Sequence, residues 1–267
     1  MQSDSEIEAV FGTLPIRHVV FFNEDFIVFV DNEYDVDWRT TLKYDAERPN
    51  DKKTQNEILN LAASIETTPC QYLEEHSKIS FKRLIGEGIA RALSEDYANA
   101  KKIIARAETF VRLRSQEKSR YWYLSASGFT GALAALGGSA LWVFREQALH
   151  LLGPVAFDAL LACIAGALGA TLSIIMRMGK VHLDCLSGKP LHYMEGTSRV
   201  IAGSLSGLLM YFAVISGQLL PALLESSNPE LAILFVAILS GASERWAPSI
   251  VSHLESGAIA RTADSPQ

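Results

Sequence analysis

Tyr121–Phe144, YWYLSASGFTGALAALGGSALWVF, runs for 24 residues without an acid or a base. At about 1.5 Å per residue such a helix reaches about 36 Å, enough to cross the roughly 30 Å hydrocarbon layer of a bilayer with some tilt. Two more runs follow: Val155–Met176, whose single charge is Asp158 near its start, and Val200–Leu220, which has none. A fourth, Leu231–Ser243, is interrupted by Glu244 and Arg245 before Ala247–Val251 turns apolar again. It reads as a span near 231–251 that either crosses with the charged pair at the cytoplasmic interface or bends at Pro248. A soluble bundle of fully buried helices is the competing reading, and three such runs in succession argue against it. The expected fold class is mainly α: a polytopic helical membrane bundle of about four spans, behind a small cytoplasmic α+β N-terminal domain.

The 267 residues carry 24 Lys and Arg against 30 Asp and Glu, a formal charge of -6, and most of these charges precede Tyr121. That balance gives no reason to expect direct nucleic-acid binding. Lys and Arg set the expected orientation. Lys101, Lys102, Arg106, Arg112, Arg114, Lys118 and Arg120 precede the first span, and Arg177, Lys180, Lys189 and Arg199 lie around the second connection. The other two connections, 145–154 and 221–230, contribute Arg145 alone. Both termini are therefore expected in the cytoplasm, with two short turns facing outward. Tyr121, Trp122, Tyr123 and Trp142 mark the two headgroup levels of the first span. The N-terminus has no basic start and no apolar core of a secretory signal.

The organisation predicted is a cytoplasmic α+β segment (1–78), a helical hairpin and stalk (79–120), the transmembrane bundle (121–253) and a cytoplasmic tail (254–267). His18–Phe22 and Phe26–Val30 read as a β-hairpin around Asn23, Glu24 and Asp25, with a third strand at Thr40–Tyr44. Helices are expected over Thr54–Ile65 and Phe81–Leu93. A further helix, capped by Ser94 with Glu95 and Asp96 in its first turn, meets no breaker before Tyr121 and either runs into the first span as one long rod or bends near the interface.

Within lipid, helices associate through close backbone approach, so small residues should line their contacts. Gly203 and Gly207 form a GxxxG pair; Ala162, Gly166 and Ala170 repeat the spacing in the preceding span, and Ala237 with Gly241 in the last. Polar groups within the spans are few. Asp158 and Gln218 near the outer end, and Glu244, Arg245 and Pro248 at the inner end, are the candidates for a pore or gate. Asp158 also reads as an interfacial cap of the helix after Pro154.

No catalytic set emerges, and the chain is not expected to be an enzyme. Gly241-Ala-Ser-Glu244 resembles the start of the GxSG motif of rhomboid-type intramembrane proteases but departs at its fourth position, and no later span supplies a histidine. His182, Asp184, Cys185 and His192 fit no metal-ligand spacing, and Ser187-Gly-Lys189 lacks the leading glycine of a phosphate loop. Neither metal nor cofactor is expected. Cys70, Cys163 and Cys185 are scattered thiols that suit a reducing compartment.

Three stretches, Gly166–Arg177 (GALGATLSIIMR), Val200–Tyr211 (VIAGSLSGLLMY) and Gly241–Pro248 (GASERWAP), resemble uncharacterised bacterial multi-span proteins whose last span ends in a G-x-S-E-R-x-x-P segment. A small cytosolic domain joined to such spans also looks like the membrane effectors of bacterial antiphage defence, including those paired with retron reverse transcriptases. That resemblance implies an abortive-infection effector that perturbs the membrane when triggered. It also implies a regulatory partner, the reverse transcriptase with its non-coding RNA, while the small-residue stripes fit a bundle formed within one chain or as a homo-oligomer. The alternatives are a small channel or transporter, or a membrane-anchored sensor or scaffold.

Overall fold

The computed structural model describes residues 4–47, 50–180, 183–184 and 187–243, and within them the chain is mainly helical (74%) with a three-stranded sheet. It divides into two compact units, residues 1–118 with 184–186 and residues 119–183 with 187–267.

The first unit is built on a meander of β1 (Ile16–Phe22), β2 (Phe26–Asp31) and β3 (Val36–Thr40), all antiparallel. The hairpin turn lies where the sequence puts it. Asn23 Oδ1 accepts from the backbone N–H of Asp25 (3.0 Å) and of Phe26 (2.7 Å), which pins the turn. β2 is buried on both faces, unlike a half-solvated meander strand. Phe26 and Val28 join a core with Ile58 of α3 (Lys52–Glu66) and Phe81 and Ile85 of α4 (Glu75–Leu93). Ile27 and Phe29 pack the opposite face with Ile7 of α1 (Asp4–Phe11). The sequence reading missed α1, although Ile7, Val10 and Phe11 already carry its three-and-four spacing.

Two expectations are corrected by side-chain oxygens. The third strand is Val36–Thr40, not Thr40–Tyr44, because Thr41 Oγ1 accepts from the Tyr44 N–H and opens a one-turn helix, α2 (Leu42–Ala46). Ser94 closes α4 rather than opening the next helix: its hydroxyl donates to the Ala90 carbonyl at 3.0 Å. The chain then turns through Glu95 at φ 60°, and Asp96 leads into α5 (Tyr97–Val143), its carbonyl accepting from Ala100 N–H.

α5 is one unbroken helix of 47 residues that belongs to both units. In the first unit Ala100, Ile104, Ala107 and Val111 are buried at spacings of four, three and four, while Lys101, Lys102 and Arg112 stay exposed. In the second unit it is joined by α6 (Arg145–Leu152), α7 (Pro154–Arg177), α8 (Lys189–Ile215) and α9 (Pro229–Ala242). Among the described residues, α5, α7 and α8 are long and apolar enough to cross a membrane.

The predicted third run is displaced. Its helix starts at Lys189 with Pro190 in the first turn and ends at Ile215, so 216–220 form a turn with Gly217 at φ 71° and Leu220 at φ 49°. The expected outer turn at 145–154 is the helix α6, closed by Gly153 at φ 78°. α9 has 14 described residues, about 21 Å, short of a full crossing by itself.

Among the described residues Lys82 is the buried charge of the first unit, 4% exposed, and its ammonium reaches Glu66 at 2.8 Å and Asp35 at 3.4 Å. Glu66 also accepts from the Val36 N–H at 2.7 Å, so one pair ties α3, α4 and β3 together. Lys82→Met should cost about 3 kcal/mol in denaturant unfolding, because it strands a largely buried carboxylate, and adding Glu66→Gln should recover part of that loss.

Acid should loosen the same unit. The Arg17 guanidinium, with Tyr34, holds Glu75 below the usual carboxylate range; Asn99 and Arg91 do so for Asp96, and the hydroxyl and N–H of Thr54 for Asp51. Carboxylates depressed in the folded state stabilise it above their unfolded pKa, and that contribution disappears as pH falls through the depressed values. A pH series of thermal unfolding should show this acid limb, and it should be shallower in Glu75→Gln.

Candidate functional site

Where the apolar helices cross, the closest contacts are backbone against backbone. A Cβ on Gly166 of α7 would collide with the Gly203 carbonyl of α8 and come within 2.9 Å of Gly207 Cα. One on Gly207 would strike the Ala162 carbonyl, and one on Gly241 of α9 the Gly166 carbonyl. Ala170 sits one turn along, where a Cβ on Gly203 would overlap its own. The structure thus brings Gly166, Ala170, Gly203 and Gly207 into one junction and adds Gly241. α9 is held a second way, by Ser240 Oγ donating to the Ser206 carbonyl at 3.1 Å.

α5 reaches the same bundle through further glycines. A Cβ on Gly131 would come within 2.5 Å of Thr171 Oγ1, and one on Gly196 of α8 within 2.6 Å of the Tyr123 carbonyl.

Burial is inverted relative to a soluble bundle. α7 buries mostly small residues, Ala162, Ala165, Gly166, Ala167, Gly169 and Ala170 besides Phe157 and Ile174, while Leu172, Ile175 and Met176 are 53–77% exposed. Phe129 and Leu136 on α5, Leu205 on α8 and Leu231 and Phe235 on α9 are exposed to similar extents. Water would drive the large side chains inward; an apolar solvent leaves only the contacts of small residues to favour the inside.

Two cavities flank the junction. At one end a cavity of about 230 Å³ is lined by Asp158, Glu230, Trp142 and Tyr211, with apolar residues between them. Tyr211 Oη donates to the Val155 carbonyl at 3.3 Å. Gln218 is not among the lining residues: it lies exposed in the turn after α8, so the structure does not join it to Asp158. At the opposite end a cleft of about 450 Å³ between α7, α8 and α9 is lined by Arg177, Arg199, Ser173, Ser206 and Ser243 above Leu205 and Leu209. Glu244, Arg245 and Pro248 lie outside the described residues.

Reading Arg177 and Arg199 only as orientation signals concealed their shared role. One ends α7, the other lies early in α8, and an antiparallel pair necessarily brings such positions to the same end. Asp158 and Glu230 line one cavity because α7 and α9 run parallel, each residue being near the start of its helix.

His192 is placed inside α8, 1% exposed, with its ring 6.1 Å from that of Trp122. Neither of its nitrogens has a hydrogen-bond partner among the described residues. His182 and Cys185 lie outside those residues, and within them no group of three potential metal ligands gathers.

No family model, curated protein or solved structure matches this chain.

Gly166→Ala and Gly241→Ala should each cost about 3 kcal/mol through forced separation of the helices, read as a lowered Tm in detergent. Gly137→Ala, where a Cβ meets nothing within 4 Å, is the control and should leave Tm unchanged or slightly raised. His192→Phe should be neutral or stabilising in the same assay, since it removes an unsatisfied buried polar group while keeping a ring against Trp122.

Proposed function

We propose that this chain is an inner-membrane effector of bacterial antiphage defence, with both termini cytoplasmic, that disrupts membrane integrity once its first unit is triggered. The observation that carries this reading is α5. The same unbroken helix contributes Ala100, Ile104, Ala107 and Val111 to the core of the first unit and Gly131 to the apolar bundle. A partner that alters the first unit has, in that helix, a direct mechanical route to the bundle. The outward-facing leucines and phenylalanines support residence in lipid, and the Lys and Arg bias supports the orientation.

A second reading, a small channel or transporter, draws on the cavity that Asp158 and Glu230 share.

Cells carrying the chain with its neighbouring genes should lose membrane potential on phage infection, followed with a potential-sensitive dye. A Pro-Gly insertion between Lys118 and Ser119 should abolish depolarisation while leaving the protein in the membrane fraction. Normal potential and growth under activation would contradict the effector reading. Selective ion flux in proteoliposomes that changes with Asp158→Asn, without any trigger, would favour the channel.

A further inference from the structure

We propose that α6 lies flat in the headgroup layer of the outer leaflet, with the side formed by Ala148, Leu149, Leu151 and Leu152 against the acyl chains. The inference rests on the membrane orientation proposed above, in which 145–154 is an outer connection.

α6 forms without a packed side. None of its 8 residues is buried, and Leu149, Leu151 and Leu152 are all exposed, Leu151 by 83%. At about 100° per residue these leucines and Ala148 fall within an arc of about 160°, while Glu146, Gln147 and His150 take the opposite side. Arg145 falls on the apolar side, and its guanidinium turns back over the Trp142 ring at 5.7 Å, the way a long basic side chain keeps its head at the interface. A helix of about two turns that packs against nothing is marginal in water, so this one needs a partner for its leucines.

Continuity with the flanking helices names lipid as that partner. The residues that lead into and out of α6 are apolar and exposed as well: Val143 and Phe144 at the end of α5, Val155 at the start of α7. The backbone leaves helical values at Phe144 (φ -97°, ψ 28°) and at Gly153 (φ 78°, ψ 163°), so α6 continues neither neighbour. Tied at both ends to the outer ends of spans, it stays at the level that Trp142 marks, where an amphipathic helix sinks its apolar side about 5–10 Å into the headgroup and acyl boundary. Arg145 and Glu146 offset each other in charge, so insertion rests on the leucines rather than on attraction to anionic lipid. Seated there, α6 fixes the depth at which α5 and α7 end.

The test uses the full chain with its three native cysteines replaced and single cysteines placed in turn at positions 146, 147, 149, 150, 151 and 152. Each carries a nitrobenzoxadiazole label and is reconstituted in vesicles of phosphatidylethanolamine and phosphatidylglycerol. Three quenchers are compared: iodide on both sides of the membrane, and lipid nitroxides near the carbonyl end or the methyl end of an acyl chain. Labels at 149, 151 and 152 should be quenched about threefold more by the carbonyl-end nitroxide than by iodide, labels at 146, 147 and 150 the reverse, and the methyl-end nitroxide should act weakly on all. Leu151→Gln with Leu152→Gln should transfer the label at 149 from lipid to iodide quenching; if that variant does not fold, Leu151→Gln alone should weaken its lipid quenching.

Iodide quenching as strong at 151 and 152 as at 150 would place α6 in water and overturn the inference. Equal quenching by the two nitroxides would sink it into the hydrocarbon layer, and disulfide cross-linking of Leu151→Cys between copies, with loss of lipid quenching, would cover its leucines with a second copy; either result overturns the inference too. Release of the chain from membranes by alkaline carbonate would overturn the membrane reading itself, and is scored separately.

Discussion

The contact on which the second unit depends is the approach of the Gly203, Gly207 and Gly241 backbones to Gly166, where no side chain fits. Two helices, α8 and α9, share one point on α7, and each can reach it only because the facing residue lacks a Cβ. Such contacts gain dispersion energy atom by atom, and they keep their value in an apolar solvent, where burying leucine gains nothing. Around that junction Leu172 of α7, Leu205 of α8 and Phe235 of α9 face outward, while Tyr123, Phe157 and Tyr211 are buried elsewhere in the unit.

The first unit obeys the opposite rule. Phe26, Val28, Phe81, Ile85 and Ile104 are interior, and Lys82, the one deeply buried charge among the described residues, is matched by Glu66 and Asp35. The change of rule falls along a single helix. From Tyr97 to Val111 α5 buries one apolar stripe as a water-facing helix does; beyond Tyr121 it exposes Phe129, Leu133 and Leu136. That switch is the physical basis for assigning the two units to different solvents, and for reading α5 as the element by which one acts on the other.

Much of this was legible in the sequence because it rests on period and composition. The hairpin around Asn23, the helix within 52–66, the unbroken course of α5 and the small-residue stripes all follow from patterns a few residues long. What escaped depends on single hydrogen bonds or on packing across the chain. Ser94 and Asp96 are both good caps, and only the direction of the Ser94 hydroxyl, back to Ala90, decides which one opens α5. The third strand slid by four residues because Thr41 caps α2. The approach of Asp158 to Glu230 needed α7 and α9 to run parallel, and that of Arg177 to Arg199 needed α7 and α8 to run antiparallel, whereas Gln218 was drawn toward Asp158 only by placing the end of α8 too late.

The proposed membrane topology is the claim from which the rest of the functional account follows, and thiol accessibility tests it most directly. With Cys70, Cys163 and Cys185 replaced, single cysteines are placed at Gln147 in α6, at Ser227 between α8 and α9, at Glu57 in α3 and at Lys189 at the start of α8. In spheroplasts with intact inner membranes, a membrane-impermeant maleimide should label positions 147 and 227, and should reach 57 and 189 only after that membrane is permeabilised. Labelling of 147 and 189 from the same side, or of all four without permeabilisation, would contradict a bundle that crosses the membrane in this orientation.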